Sequence, residues 1–296
     1  MNMMNDLSIL CIGECMMELH NQNDCFSPGY AGDIINFSIY LKRLDNNASV
    51  NFFSAVGEDS ISKEMLDFLG KQGINTELVF TTPDKTIGLY MIHTDVEGER
   101  TFTYWRSDSA AREMFLLANE AMLRQSTKAV DYLYFSGITL AILNQSDRDR
   151  LLSLAKDFSS EGKKVIFDPN FRPTLWQNLE EGRIQTTRAY EVCNIALSSY
   201  DDEQMLFGES GINSVLERLM SFNIDEIVLT NGPGEIHGVY HGERFNTLPA
   251  IPTSVVDTTA AGDSFNAGYI VNRHRGLPAK ESASRASELS ALVVAQ

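Results

Sequence analysis

Along the chain, apolar residues fall into short uninterrupted runs, separated by stretches where they recur every three or four positions. The runs predict strands at Leu7–Ile12, Val50–Ala55, Tyr132–Ser136, Lys164–Phe167, Ile195–Leu197 and Glu226–Thr230. The recurring stretches predict helices, among them Ile34–Arg43, Ile61–Lys71, Asp147–Phe158 and Ile212–Phe222. Apolar strands alternating with amphipathic helices imply an α/β fold, with a parallel sheet covered by helices on both faces. No repeat, low-complexity tract or Pro/Ser-rich linker divides the 296 residues, so 1–296 is expected to be a single domain.

One region departs from the alternation. Thr86–Thr94 and Arg100–Arg106 are β-rich runs joined by Asp95-Val96-Glu97-Gly98-Glu99, a Gly-containing hairpin connection. Cys15–His20 is a further strand-like stretch just after the first core strand. Strands inserted roughly at 15–30 and 86–107, with polar and aromatic residues on one face, predict a small β-lid over a cleft. A surface hairpin without function is the alternative that pattern alone leaves open.

Composition narrows the class. Apolar residues make up 43% and charged residues 22%, as in ordinary globular proteins. A formal net charge of −16 argues against nucleic acid as a partner, because neutralising phosphates takes a basic surface. No stretch approaches the roughly 20 apolar residues of a membrane span. The segment Met1 to Ile12 lacks the cationic start and long apolar core of a signal peptide. Cys11, Cys15, Cys25 and Cys193 form no CxxC pair and share no zinc spacing with the five histidines, so they read as reduced thiols. A cytoplasmic protein is expected.

The chemistry concentrates in Asp257-Thr258-Thr259-Ala260-Ala261-Gly262-Asp263-Ser264-Phe265-Asn266-Ala267-Gly268. Small residues here precede a helix expected from about Gly262 towards His274. A helix start exposes unpartnered N–H groups at the positive end of the macrodipole. Ala260, Ala261 and Gly262 carry too little bulk to hold an anion away from those amides. Asp263 would stand beside that anion, where a carboxylate is unfavourable unless it does something, such as accepting a proton from an attacking hydroxyl. The alternative is that Asp263 and Ser264 merely cap the helix.

This segment resembles the C-terminal signature of the ribokinase-like (PfkB) carbohydrate kinases. Gly29-Tyr30-Ala31-Gly32-Asp33-Ile34-Ile35-Asn36 followed by Val56-Gly57-Glu58-Asp59 resembles the N-terminal one. The resemblance runs over essentially the whole chain. It implies a ribokinase-like three-layer α/β/α domain, with a mostly parallel central sheet and a small β-sheet lid. It makes Asp263 the general base, and the amides around Ala260, Ala261 and Gly262 the hole that stabilises the transferred phosphoryl group. It also implies ATP with Mg²⁺, and it leaves a monovalent cation beside the hole as an option.

The sugar is expected at Gly32, Asp33 and Asn36, whose donors and acceptors suit a polyol. Asp33 could instead, or also, cap its helix. On the lid, period 2 puts Phe102, Tyr104 and Arg106 on one face and Trp105 on the other, with Tyr90 on the preceding strand able to join them. A guanidinium between phenols suits a carboxylate or 2-oxo-acid group. A lid-stabilising aromatic–Arg stack is the alternative. Gly88–Ile92, Phe102–Arg106 and Asp168-Pro169-Asn170-Phe171-Arg172 together resemble the branch of the family that acts on 2-keto-3-deoxygluconate. By that resemblance Tyr90, Tyr104, Arg106 and Arg172 contact the sugar and its 6-hydroxyl receives the phosphate. Other sugars (fructose, ribose, a nucleoside) and a non-catalytic sugar sensor are the rivals.

Thr230-Asn231-Gly232-Pro233-Gly234 offers a tight loop for nucleotide through Thr230, Asn231, Gly232 and Gly234, with Ser198 a further candidate. A hairpin of Ile236–His241 and Glu243–Leu248 follows. Glu203 is expected to hold a metal-bound water, although Tyr200 stands where the family often has Asn. Family members normally continue into a Gly-containing tail, whereas this sequence stops at Gln296 in a helical pattern, so contacts from such a tail are not assigned. Dimers formed lid to lid occur in the family, and exposed lid edges would favour them.

Overall fold

The computed structural model describes residues 6–22, 25–94 and 100–295. The strands are β1 (Ser8–Ile12), β2 (Met16–Gln22), β3 (Cys25–Ala31), β4 (Ser49–Gly57), β5 (Ile74–Thr82), β6 (Gly88–Thr94), β7 (Arg100–Trp105), β8 (Tyr132–Ser136), β9 (Lys164–Asp168), β10 (Ile195–Ser199), β11 (Glu226–Thr230), β12 (Ile236–Tyr240) and β13 (Glu243–Thr247). The helices are α1 (Asp33–Leu44), α2 (Ser60–Lys71), α3 (Met114–Leu117), α4 (Glu120–Lys128), α5 (Gly137–Ile142), α6 (Gln145–Ser160), α7 (Leu179–Tyr190), α8 (Tyr200–Phe207), α9 (Ile212–Met220), α10 (Ala261–His274) and α11 (Ala279–Val294).

Nine strands form one sheet in the order β13-β12-β11-β10-β9-β8-β1-β4-β5. Pairing is parallel from β11 through to β5, and only β12 and β13 run antiparallel. The physical reason is visible in β1. Leu10 and Ile12 pack into the apolar layer beneath α5 to α9, while Ile9 and Cys11 pack into the layer beneath α1, α2, α10 and α11. Both faces of the strand are dry, so its sequence is apolar without alternation. Cys11, Cys15 and Cys193 are buried free thiols, and burial pushes Cys11 up to about 12. Such thiols are inert.

The six core strands predicted from the sequence are present: Tyr132–Ser136 and Glu226–Thr230 with the expected bounds, the strand at Ser8–Ile12 one residue shorter, and the other three one to three residues longer. Not among the elements named from the sequence were β5, α3, α4, α5, α7 and α8. Ile74-Asn75-Thr76-Glu77 puts polar residues into an edge strand that has only one neighbour, β4. α7 carries Glu180, Glu181, Arg183, Gln185 and Arg188 among few apolar residues, which blurs its period.

Four strands form the second sheet in the order β3-β2-β6-β7. β2 runs parallel to β6, and both outer pairs are antiparallel. The junction predicted at residues 95–99 lies outside the described residues. This lid has a small core of Met16, Tyr90 and Ile92. Phe26, Phe102, Tyr104 and Trp105 remain exposed on it. No helix among the described residues is long and apolar enough to cross a membrane.

Candidate active site

Parallel strands place their ligand-facing loops at their carboxyl ends. Ser136 of β8 stands beside Asp168 of β9, and Ser199 of β10 beside Thr230 of β11, so these strands end at one edge. The segments entering α1 and α10 carry side chains that reach that edge.

α10 begins at Ala261, one residue ahead of the expected start. Ala260 precedes it in the left-handed region, with φ 60°, and caps the helix with no side-chain hydrogen bond. Ala261 N–H donates to the Thr258 carbonyl and Ser264 N–H to that of Ala260, at 3.2 and 2.9 Å. The amides of Gly262 and Asp263 have no carbonyl partner among the described residues. A Cβ built on Gly262 would meet nothing within 4 Å, so the approach to those amides is open. Unpartnered N–H groups at a helix start are a site for an anion.

Asp263 does not cap the helix. Its Oδ2 accepts from Asn36 Nδ2 at 2.9 Å, linking the starts of α10 and α1. Burial raises its carboxyl to about 8; the nearby Asp33 carboxylate adds to this, while the Asn36 hydrogen bond and the Arg172 charge oppose it. A carboxyl held there is poised to exchange a proton near neutral pH. Gly32 is the N-cap of α1, with φ 151°, and Asp33 is the first helical residue rather than the cap. A Cβ at Gly32 would sit 2.8 Å from the Glu14 carbonyl oxygen, so only glycine allows the chain to enter the helix here.

The structure adds two residues with no expected role. Asp168, the last residue of β9, accepts from Asn266 Nδ2 at 2.8 Å and from the Asn170 amide at 3.0 Å. Asn170 Nδ2 then donates to Asp33 at 3.1 Å. Burial pushes the Asp168 carboxyl well above the ordinary range, helped by Asp202, Asp263 and Asp33. These couplings gather three further acids, Asp33, Asp168 and Asp202, near the candidate base. Arg172 is the cation among them: half-exposed, 3.9 Å from Asp202, with Nη1 donating to the Phe171 carbonyl at 3.0 Å.

On the lid, Tyr90 pairs with Tyr104 across β6 and β7, their rings 5.6 Å apart. Phe102 stacks on Tyr104 at 6.4 Å. Tyr90 is 6% exposed and Tyr104 51%. The buried Tyr90 hydroxyl donates to Glu18. Arg106 lies just past the end of β7 and is buried, with Nη2 donating to Glu14. The lid arginine is therefore not an open cation.

The nucleotide candidates divide. Thr230, Asn231, Gly232 and Gly234 form a tight turn after β11, closed by the Gly234 amide on the Asn231 carbonyl at 2.7 Å, with Gly232 left-handed at φ 51°. Ser198, by contrast, donates to Glu203 at 2.6 Å. Glu203 is completely buried, and it also accepts from Tyr190 and Arg218. The structure thus gives Glu203 three internal side-chain partners, Ser198, Tyr190 and Arg218. No group of three His, Cys, Asp or Glu able to hold a metal occurs among the described residues. A groove of about 600 Å³ between α4 and α6, with Phe115, Arg124, Arg150 and Phe158 in its wall, shares no residue with this site.

Comparison with known proteins agrees with this geometry. The description "pfkB family carbohydrate kinase" matches residues 3–296. A 2-dehydro-3-deoxygluconokinase of Dickeya dadantii is 40% identical, over 98% of this chain and 96% of its own. Among solved structures, a PfkB protein from Polaromonas superposes with a TM-score of 0.86 at 23% identity, over 98% of this chain and 96% of that one. A fructokinase with bound ATP from Xylella fastidiosa gives 0.82 at 20% identity, over 98% and 92%. With sequence signature, sheet order and lid in agreement, the chain belongs to the pfkB family of carbohydrate kinases.

Proposed function

We propose that the protein transfers the γ-phosphoryl group of ATP to the 6-hydroxyl of 2-dehydro-3-deoxygluconate, the acid sugar also written 2-keto-3-deoxygluconate. The products are 2-dehydro-3-deoxy-6-phosphogluconate and ADP. The observation that carries the reading is the carboxyl of Asp263, raised to about 8 and standing one residue past the unpartnered amide of Gly262. The 40% identical relative of that name supports the choice of sugar.

In this reading the sugar hydroxyl gives its proton to Asp263 as its oxygen bonds to the γ-phosphorus. The bond from that phosphorus to the bridging oxygen breaks, and ADP leaves. Asn36 fixes the carboxylate, and the Gly262 and Asp263 amides meet the negative charge on the equatorial oxygens. This catalysis is positioning and electrostatics. The donors around Ala260 are main-chain N–H groups, which suit phosphate oxygens and not a metal. The chain accordingly fits Mg²⁺ as an ion carried by the nucleotide phosphates and water, with carboxylates of the edge such as Asp202 in support. Bound there, the ion would supply positive charge against the nucleotide phosphates. The turn Thr230–Gly234 is assigned to the nucleotide, and Tyr90, Tyr104, Arg106 and Arg172 to the sugar. ATP use fits a cytoplasmic protein, and the exposed Phe26 and Trp105 support pairing of copies through the lid.

One observation favours a second reading, a neutral sugar on the same fold: Arg106 already has a carboxylate partner in Glu14. A coupled ADP-release assay over a sugar panel separates the two. The acid sugar is expected to exceed fructose, ribose and nucleosides by at least about 100-fold in kcat/KM, since a site built for a charged group rejects analogues lacking it. Equal or better turnover of a neutral sugar would overturn the proposed substrate.

A further inference from the structure

Glu14 follows β1 in the sequence Ile12-Gly13-Glu14-Cys15, at the ligand-bearing edge of the sheet. Its side chain is 1% exposed. A buried carboxylate needs partners, and it has two from the far side of the lid: Oε2 accepts from Arg106 Nη2, and Oε1 from Ser109 Oγ. Neither partner is near it in sequence. Three backbone segments meet at the pair. A Cβ at Gly88, the first residue of β6, would lie 2.8 Å from Glu14 Oε1 and 3.1 Å from Arg106 Cβ, so any larger residue there would push the pair apart.

Buried ion pairs are poor stabilisers, because desolvation offsets most of the Coulombic gain; fixed geometry is what they can supply. The guanidinium is not saturated, since the buried Arg106 Nε has no hydrogen-bond partner among the described residues. A guanidinium presents its donors in a rigid planar fork, so holding one edge aims the others. Four residues along, Glu18 treats a second lid side chain in the same way by accepting from the Tyr90 hydroxyl. The segment leaving β1 thus carries two carboxylates, each gripping a different lid residue on the face shared by Tyr90, Tyr104 and Arg106.

We propose that Glu14 is a positioning residue for acid-sugar selection: it ties Arg106 to the end of β1, so that the free donors of the guanidinium are held ready for the substrate carboxylate. Ser109 fixes the other oxygen of Glu14. Glu14 touches neither the phosphoryl group nor the sugar. The inference rests on the acid-sugar reading above.

The test uses full-length protein with 2-dehydro-3-deoxygluconate, fructose and ATP. Wild-type protein comes first: failure to phosphorylate the acid sugar sinks the substrate reading and this inference together, before any variant is made. Given that activity, Glu14→Gln keeps the shape and removes the charge. KM for the acid sugar is expected to rise at least about tenfold, the scale of a small misplacement. KM for ATP and kcat should stay within about threefold, and the preference over fructose should shrink in proportion. Glu14→Asp keeps the charge and withdraws it by one methylene; the same selective rise, of smaller size, is expected, and this variant decides the matter if Glu14→Gln does not fold. In an Arg106→Ala background, Glu14→Gln should add nothing further to KM, because it acts through the missing side chain. An unchanged or lowered acid-sugar KM overturns the proposal. So does a parallel loss for sugar and ATP, or an additive double variant.

Discussion

At the start of α10 the functional groups are held by the deepest part of the molecule, while on the lid they are held by long-range pairs at its margin. Asp263 projects from a helix whose residues 263–271 are all buried, and it is fastened to α1 through Asn36. The lid residues stand on four strands with a core of three side chains, and four of its aromatics, Phe26, Phe102, Tyr104 and Trp105, are exposed. The contrast separates two tasks. Proton abstraction and phosphoryl stabilisation need atoms that do not move, and a helix packed on a parallel sheet supplies them. Enclosing a sugar and excluding water needs a part that can move, and a lightly packed sheet suits that role.

If that division is right, variants at the two places fail in different ways. The largest effect is expected from Asp263→Asn: both ligands should still bind, and kcat should fall by about 10²–10⁴-fold, the range for loss of a general base. Titration calorimetry beside the ADP-release assay reads both quantities, and near-normal turnover would refute the role of Asp263.

Arg172→Ala comes next. Its charge opposes the rise of the Asp263 carboxyl, so removing it should move the acid limb of the kcat/KM–pH profile upward from about 8. The acid-sugar KM should also rise by about tenfold, the scale of one lost charge-assisted contact. A profile that does not move would detach Arg172 from the base.

Stability offers a third test with the opposite sign to activity. The folded Asp263 carboxyl titrates near 8 and the unfolded one near 3.8. The folded state therefore binds the extra proton between those values, and the stabilisation it brings is lost as pH rises through about 8. Activity needs the deprotonated form, so the protein should work best where this residue stabilises it least. In thermal melts, the Tm advantage of Asp263→Asn over wild type should grow from pH 5 to pH 9. A constant difference would mean that the carboxyl is not raised.

The smallest effect is expected for Tyr104→Phe on the lid. It removes one half-exposed hydroxyl and should raise the acid-sugar KM by about two- to fivefold, in keeping with one neutral hydrogen bond, with no change in Tm. A fall in Tm would make the lid a structural element rather than a cover.

The same contrast explains what could be read from the sequence. The core strands were legible because burial on both faces writes itself as uninterrupted apolar runs, as in Tyr132–Ser136. The helix start with its small residues and acid was legible because these features lie within a few positions. β3 was legible only as part of the lid region at about 15–30, without bounds of its own, since Pro28 and Gly29 weaken the pattern of an edge strand whose only partner is β2. Interactions across long separations left no local trace. Asn266 reaches Asp168 over 98 positions, and Arg106 reaches Glu14 over 92. The partners of Glu203 were hidden in the same way, for nothing near Tyr200 reveals that Tyr190 and Arg218 converge on it. Period 2 did place Tyr104 and Arg106 on one face, but it could not show that the arginine was already paired.

The most direct measurement is the ratio of kcat/KM for 2-dehydro-3-deoxygluconate to that for fructose, taken in wild type and in Arg106→Ala. Selection by the lid, independent of the chemistry at α10, predicts a ratio that falls by at least about tenfold while turnover at saturating substrate changes little. A ratio unchanged by the substitution, with kcat lost for both sugars alike, would contradict it.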